Sequence, residues 1–375
     1  MKIIIVGTAY PFRGGIAHFN ALLANYLALK HQVEIITFTR QYPKLLFPGK
    51  SQIERAASQP DVPIYQMIDS INPLSWYKTA NIIKQKQPDL LIFKYWIPFF
   101  APCFGTIAQN SKKNTNTKVL IICDNVIPHE KRIGDKTLTK YFFRQADYFI
   151  VQSKSVEKDL INLIPDAKYL LAPHPIYEIF GKKIDKSTAR TTLNLNFEQI
   201  ILFFGYIRKY KGLHILLEAI NLIAKKTQPP HLLVAGEFYD DENTYRNYVR
   251  QNNLEKYVTF ISDYIPIEKV NLYFSAADVV VLPYISATQS GIVQIAYNFD
   301  KPVIVTDVGG LSEVVKNNLT GYVVQPENPE NLASAIMKFY NENKEPVFTE
   351  NVIKEKVKYS WQYFISELER LIEVR

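Results

Sequence analysis

The sequence predicts an α/β protein of two domains, each organised on a parallel sheet. Three observations point there. Short runs of β-branched and aromatic residues, such as KIIIVG at 2–7, IILFF at 200–204 and VVVL at 279–282, alternate with longer segments of helical apolar spacing. At 375 residues the chain is long for a single core. Third, residues 283–310, PYISATQSGIVQIAYNFDKPVIVTDVGG, follow an apolar strand with a turn at Pro283 and a small, hydroxyl-rich loop. A short helix, Ile292 to Tyr297, comes next, then a stop at Asp300-Lys301-Pro302 and the strand Val303 to Val305. A helix opening from such a loop presents unpaired N–H groups and partial positive charge to an anion, and Gly291 lets a phosphate approach the backbone. Taken alone, the same turn is also a plain tight connection. A basic glycine loop about eighty residues upstream favours the ligand.

The composition is that of an ordinary globular protein, 47% hydrophobic and 21% charged, without a low-complexity tract. Two cysteines, Cys103 and Cys123, are too few and wrongly spaced for a disulfide framework or a zinc site, so a reducing cytoplasm is the expected setting. The opening MKIIIVG is too short an apolar run for a secretion signal, and no uncharged apolar run reaches the roughly 18–20 residues of a membrane span. The net charge is +8, and the first half carries all of the excess. Residues 1–180 hold 22 Lys and Arg against 13 Asp and Glu, residues 181–375 hold 22 against 23. Such an imbalance serves plain solubility, or it makes a basic face for an anionic membrane or an acidic acceptor. The charge is dispersed and no reader module is recognisable, which disfavours a nucleic-acid partner.

In chain order, residues 2–7 are a buried strand, and the spacing of Ile16, Leu22, Leu23, Tyr26 and Leu27 predicts a helix before the strand Val33 to Phe38. The loop between them ends in Gly14-Gly15 beside Arg13, a pair that can hold a phosphate or let a substrate pack on bare backbone. Residues 40–70 are expected to be a long basic and apolar excursion. A helix at Trp76 to Gln85, a strand at Asp89 to Lys94 and an aromatic segment leading into a helix follow. Val119 to Cys123 is a strand whose carboxyl end carries Asp124-Asn125, with His129-Glu130 a little further on. Ligands collect at that end of a parallel sheet, so Asp124 and His129 are site candidates. A helix around Leu138–Ala146, a strand at Tyr148 to Gln152 and a helix capped at Ser153 close the domain. Residues 169–199 lack a strong period and are expected to be the interdomain connection.

The second domain opens with the strand Ile200 to Phe204, the loop Gly205 to Gly212 and the helix Leu213 to Ile223. Arg208, Lys209 and Lys211 put three cations between a buried strand and a helix start, an arrangement suited to a pyrophosphate. It is not a Walker loop, because the G-x-x-x-x-G-K-[ST] order is absent. A strand ending in Gly236-Glu237, a helix, the strand Val258 to Phe260 and a further helix lead to the stretch at 283–310. The chain is expected to end in one helix from about Val352, with Trp361, Phe364, Leu368 and Ile372 on one face. The domains so predicted are 1–180 with a closing helix of about 356–375, and 196–355.

Taken together in this order and spacing, five features resemble glycosyltransferase family 4. They are the Gly14-Gly15 loop, the R-x-x-K-G of Arg208, Lys211 and Gly212, the AADVVVLP strand, KPVIVTDVGGLSEVV, and Thr320-Gly321. The resemblance runs nearly end to end. It implies a GT-B fold of two Rossmann-like domains facing across a cleft, with the C-terminal helix crossing back to the first domain. It further implies retaining transfer of a sugar from a nucleotide-diphosphate donor, with no cofactor and no essential metal. The first domain would hold a glycan or glycolipid acceptor and the second the donor. By resemblance, Arg208 and Lys211 pair with the diphosphate and stabilise the departing nucleotide, and Gly14 and Gly15 bring backbone to the same phosphates. Glu237, Tyr264, Ile265, Thr288, Gln289, Ser290, Gly291, Ile292 and Gln294 line the donor, and Asp124 or His129 orients the acceptor.

Two departures stand out. The family's two glutamates, with seven residues between them, align with Ala287 and Ile295, so that either Gln294, Gln289, Thr288 and Ser290 supply replacement hydrogen bonds or donor binding is weakened or different. Tyr206 stands where an Arg often follows the phosphate-loop glycine. The expected function is therefore glycosyl transfer in polysaccharide or glycolipid assembly, cytoplasmic and at the inner face of a membrane. The alternatives are a non-catalytic nucleotide-sugar-binding relative and, less favoured, an epimerase of the same fold. The aromatic segments Leu45–Lys50 and Tyr95–Phe104 are the candidate membrane-contacting parts, the second also readable as core.

Overall fold

Runs such as Ile3 to Val6 and Val279 to Leu282 have no exposed side chain, which requires a sheet covered by helices on both faces. The computed structural model describes residues 1–43, 52–53, 60–127, 132–288 and 290–373. The chain divides into two units, Met1–Pro175 with Ser360–Arg375, and Ile176–Tyr359.

The first unit runs β1 (Lys2–Val6), α1 (Gly15–Ala28), β2 (Gln32–Arg40), β3 (Ile64–Asp69), α2 (Pro73–Lys86), β4 (Leu90–Tyr95), α3 (Ala101–Lys112), β5 (Lys118–Cys123), α4 (Asp135–Phe143), β6 (Tyr148–Val151), α5 (Lys154–Leu163) and β7 (Tyr169–Leu171). Its strands pair in parallel in the order β3-β2-β1-β4-β5-β6-β7, a doubly wound sheet that reverses direction between β1 and β4. The strand β3 lies inside the segment expected to be a long excursion, and β7 inside the expected connection. Both are edge strands with half-exposed residues, so neither carries the continuous apolar run that marks a buried strand. The aromatic segment at 95–104 is core. Tyr95, Phe100 and Phe104 are buried, and rings of Phe38, Phe93 and Phe142 pack against them, which decides for the core reading of this segment over the membrane-surface one. Residues 45–50 lie outside the described residues.

The second unit runs α6 (Lys186–Thr192), β8 (Ile200–Phe204), α7 (Leu213–Ala224), β9 (His231–Ala235), α8 (Glu242–Gln251), β10 (Val258–Ile261), α9 (Ile267–Ala276), β11 (Val279–Leu282), α10 (Gly291–Asn298), β12 (Val303–Thr306), α11 (Leu311–Val314), β13 (Gly321–Val324), α12 (Pro329–Asn341) and α13 (Glu345–Glu355). The sheet order β10-β9-β8-β11-β12-β13 repeats the reversal, here between β8 and β11. The single closing helix expected from Val352 is instead α13, a 3₁₀ turn at Lys356–Tyr359, and α14 (Trp361–Glu373). Neither proline nor glycine marks the break. Tertiary contacts hold it: Tyr359 O accepts from Ile176 N at 2.9 Å, and Lys356 Nζ lies 2.6 Å from Asp300. Beyond it, Trp361 and Phe364 pack on Phe19 of α1, so α14 belongs to the first unit.

Among the contacts that hold residues 176–199 to the second unit, one buried carboxylate gathers the most partners. Asp278 accepts from Lys186 Nζ and Arg190 Nη2 at 2.7 Å each, from the Ile200 amide at 2.7 Å and from the Tyr340 hydroxyl at 3.4 Å. Removing it takes the only carboxylate partner of Arg190 among the described residues and the acceptor of the Ile200 amide, and leaves Lys186 with Glu345 alone. Asp278→Ala is expected to lower stability by roughly 3–5 kcal/mol, seen as an earlier urea midpoint, whereas Lys354→Ala at an exposed pair shifts it little.

Candidate functional site

The reversal between β8 and β11 decides where the second unit can bind. Strands on either side of a switch point send their loops in opposite directions, which opens a crevice at their carboxyl ends. The loops after β8 and β11, some eighty residues apart in sequence, therefore meet. Ile285 N donates to Tyr210 O at 2.7 Å. Glycines make this approach possible. A Cβ on Gly212 (φ 71°) would stand 1.9 Å from Pro283 O, and one on Gly309 (φ 52°) 1.8 Å from Ala287 O.

Within this crevice a 3₁₀ turn at Lys209–Lys211 carries Lys211 inward, where it is only 9% exposed. Its ammonium has no hydrogen bond and no ion pair among the described residues. It stands 3.3 Å from where a Gly205 side chain would begin, with the Tyr284 ring 5.7 Å away. Burial, and then the charge of Arg208, lower its pKa to about 8. The Arg208 guanidinium lies 4.8 Å over the Tyr239 ring. Tyr239 continues to Tyr206 at 4.8 Å and Tyr206 to Tyr264 at 6.5 Å, an aromatic row across the ends of β8, β9 and β10.

The opposite wall is the start of α10. Ser290 caps it, its hydroxyl accepting from Ile292 N at 3.3 Å and lying 3.3 Å from the Tyr284 hydroxyl. Gly291 packs so closely on Tyr177 that a Cβ would be 3.0 Å from that ring, and the side chain of Ile292 reaches Gly205. Thr288 O accepts from Gly310 N at 2.8 Å. Gln294 is 1% exposed, and its Oε1 has no partner among the described residues. Glu237, after β9, is buried, and its carbonyl accepts from Ile207 N. Ile265 and Ile295 are core residues, and Gln289 lies outside the described residues. The crevice thus gathers Arg208, Lys211, Ser290, Gly291 and Ile292. The sequence reading missed Tyr177, Tyr239 and Tyr284, because tyrosines in loops carry no periodic signal.

Gly14, Gly15 and Asp124 belong to the first unit. Gly14 (φ 107°) precedes α1 with open space at its Cβ position. Asp124 is not a free carboxylate: Lys94 Nζ stands 2.6 Å from its Oδ1. Lys94 is 1% exposed, reaches Gln152 Oε1 at 3.1 Å and lies 3.5 Å over the Phe19 ring. Burial lowers the pKa of Lys94, partly countered by Asp124. It also lowers His174 to about 3, with help from the charge of Lys94, so that imidazole is neutral. A lysine inside the otherwise apolar LLIFKY was the available signal for this cluster. His129 lies outside the described residues.

Fold and crevice together define a GT-B protein. Sucrose-phosphate synthase from Thermosynechococcus elongatus superposes with a TM-score of 0.77 at 20% identity, covering 99% of this chain and 98% of that one. HepE from Anabaena, solved in complex with UDP, gives 0.77 at 16% identity with all of both chains covered. Residues 13–176 match the family described as Glycosyltransferase Family 4, and residues 198–342 that described as Glycosyl transferases group 1. The chain belongs to this family of glycosyltransferases. A D-inositol 3-phosphate glycosyltransferase of Corynebacterium aurimucosum is 24% identical over 60% of this chain, which spans little more than half (56%) of that relative's length. An uncharacterized glycosyltransferase of Methanocaldococcus jannaschii is 23% identical over all of this chain and 98% of its own.

The glycine contacts carry a test of the crevice. Gly212→Ala, which drives a methyl group into Pro283 O at a left-handed φ, is expected to lower stability by roughly 1–3 kcal/mol or more. Gly14→Ala, with space around it, should lower the melting temperature less.

Proposed function

We propose that the protein is a retaining glycosyltransferase that moves a hexosyl group from a nucleotide-diphosphate sugar to a glycan or lipid-linked acceptor, in cell-surface polysaccharide or glycolipid synthesis. One observation carries this reading: the Lys211 ammonium is buried beside Arg208 with no acceptor of its own. Holding an unpaired cation out of water is costly, and a diphosphate would supply the missing charge. The start of α10 faces the same space with the Gly291 amide unpaired among the described residues, a second anion-directed group. As the sugar leaves, Arg208 and Lys211 stabilise the charge growing on the diphosphate. These cations occupy the place of a metal's charge, so the reaction is read as metal-independent. Complexes of HepE with UDP and with UDP-glucose support a nucleotide-sugar donor. In the first unit, Asp124 is held by Lys94 and acts by orienting an acceptor hydroxyl, while the donor phosphate takes its proton. The excess positive charge of residues 1–180 supports work at the inner face of an anionic membrane.

Ala287 and Ile295, in the places of the family's glutamates, favour a second reading, a nucleotide-sugar-binding relative without turnover. Product analysis with UDP-, GDP- and ADP-sugars separates the two, because only the first makes a glycoside or releases the sugar.

A ligand that binds only the folded form raises the melting temperature. A screen of UDP, GDP and ADP is expected to yield such a shift, and Lys211→Ala and Arg208→Ala to abolish it. A full shift in both variants would move the donor site elsewhere. The affinity of the best diphosphate should be nearly flat below pH 8 and fall above it. A bound diphosphate favours the ammonium, so above about pH 8 binding must take up a proton and weakens up to about tenfold per pH unit. Calorimetry in buffers of different ionisation heat reads this uptake. Unchanged affinity to pH 9.5 would remove Lys211 from contact with the anion.

A further inference from the structure

In the first unit the helices α2, α3 and α4 follow β3, β4 and β5, and α3 packs between the other two. Each therefore begins at the carboxyl edge of the sheet, the edge that carries Asp124. There the usual order of apolar inside and polar outside breaks down. Leu74 and Tyr77, on the first turns of α2, are 78% and 52% exposed, and Ile133, just before α4, is fully exposed. Cations accompany them: Lys78 on α2, and Arg132 and Lys136 at the start of α4, all exposed. The acidic residues at these helix starts are engaged. Asp69 pairs with Arg40, and Asp135 accepts from the Arg132 amide at 2.8 Å. The helix α2 contains three lysines and no acid.

We propose that this rim is a docking surface for an anionic lipid bilayer, with Leu74, Tyr77 and Ile133 entering the interface and Lys78, Arg132 and Lys136 meeting lipid phosphates. Protruding apolar side chains ringed by cations match a surface that is apolar below and negative above, a chemistry no dissolved polyanion offers. The positive balance of residues 1–180 acts in the same direction. The surface brings the Asp124 edge of the sheet to the lipid phase, and to that extent it deepens the reading of a lipid-linked acceptor and rests on it. Its test does not.

The experiment is cosedimentation of the full chain with vesicles of phosphatidylcholine alone or with about 30 mol % phosphatidylglycerol, at low and high salt. The protein is expected to bind the anionic vesicles only, and less at high salt. The double variant Leu74→Glu, Ile133→Glu should bind at least about tenfold more weakly. Leu29→Glu, at the opposite edge of the sheet where Leu29 is 77% exposed, should bind like the wild type. Melting curves of each variant report folding, so loss of binding in a folded double variant supports the rim. Absence of wild-type binding, full binding by the double variant, or equal loss in Leu29→Glu overturns it. A wild type that self-associates through these residues and ignores vesicles also overturns it, in favour of a protein interface. The nucleotide-diphosphate shift stands apart: its absence in a wild type that binds vesicles refutes the donor reading alone.

Discussion

The pairing of β8 with β11 is the contact on which the second unit's chemistry depends. It sets two distant loops side by side at the carboxyl edge of the sheet, where Gly212 lets their backbones touch and Gly309, after β12, lets a third loop close on the second. Between those loops the chain holds a lysine that no carboxylate among the described residues neutralises. A packed protein rarely keeps such a group, because desolvation opposes the charged form, and the same burial lowers the pKa of Lys211.

Three lysines are buried among the described residues. Lys94 has Asp124 and Gln152, and Lys301 donates to the carbonyls of Ala277 and Ser275 at the end of α9. Both are satisfied from within, and their positions are explained by the fold. Lys211 alone has no oxygen to meet, and it shares its space with a guanidinium and a helix start. Structural need accounts for the first two; the third stands in the chemistry that the proposed diphosphate would complete.

The two units use the same topology to different ends. In the second, cations and bare amides converge on open space. In the first, the equivalent edge carries a neutralised pair, Lys94 with Asp124, over an aromatic floor that includes Phe19, with a neutral His174 beside it. A site of that kind suits hydroxyl groups better than phosphates, since its one buried cation is already committed.

Amino-acid order by itself determined the α/β class, nearly all of the buried strands, the two-unit division in outline, and the basic loop at 205–212. These are local properties, since apolar period, turn residues and charge can be read within a window of a dozen positions. The edge strands β3 and β7 and the break between α13 and α14 were not legible, and the aromatic segment at 95–104 was readable both as core and as membrane surface. Each depends on what lies across from it: one missing neighbour for an edge strand, Ile176 and Asp300 for the helix break, and Phe38, Phe93 and Phe142 for the aromatics. Site residues divided the same way. Arg208, Lys211 and Gly291 announced themselves by sequence, whereas Tyr177, Tyr239 and Tyr284 joined them only through folding. Tertiary structure alone decided that Asp124 is paired and Lys211 is not, because the partner of a charge is a property of distance in space, and residues 94 and 124 meet only when β4 and β5 lie side by side.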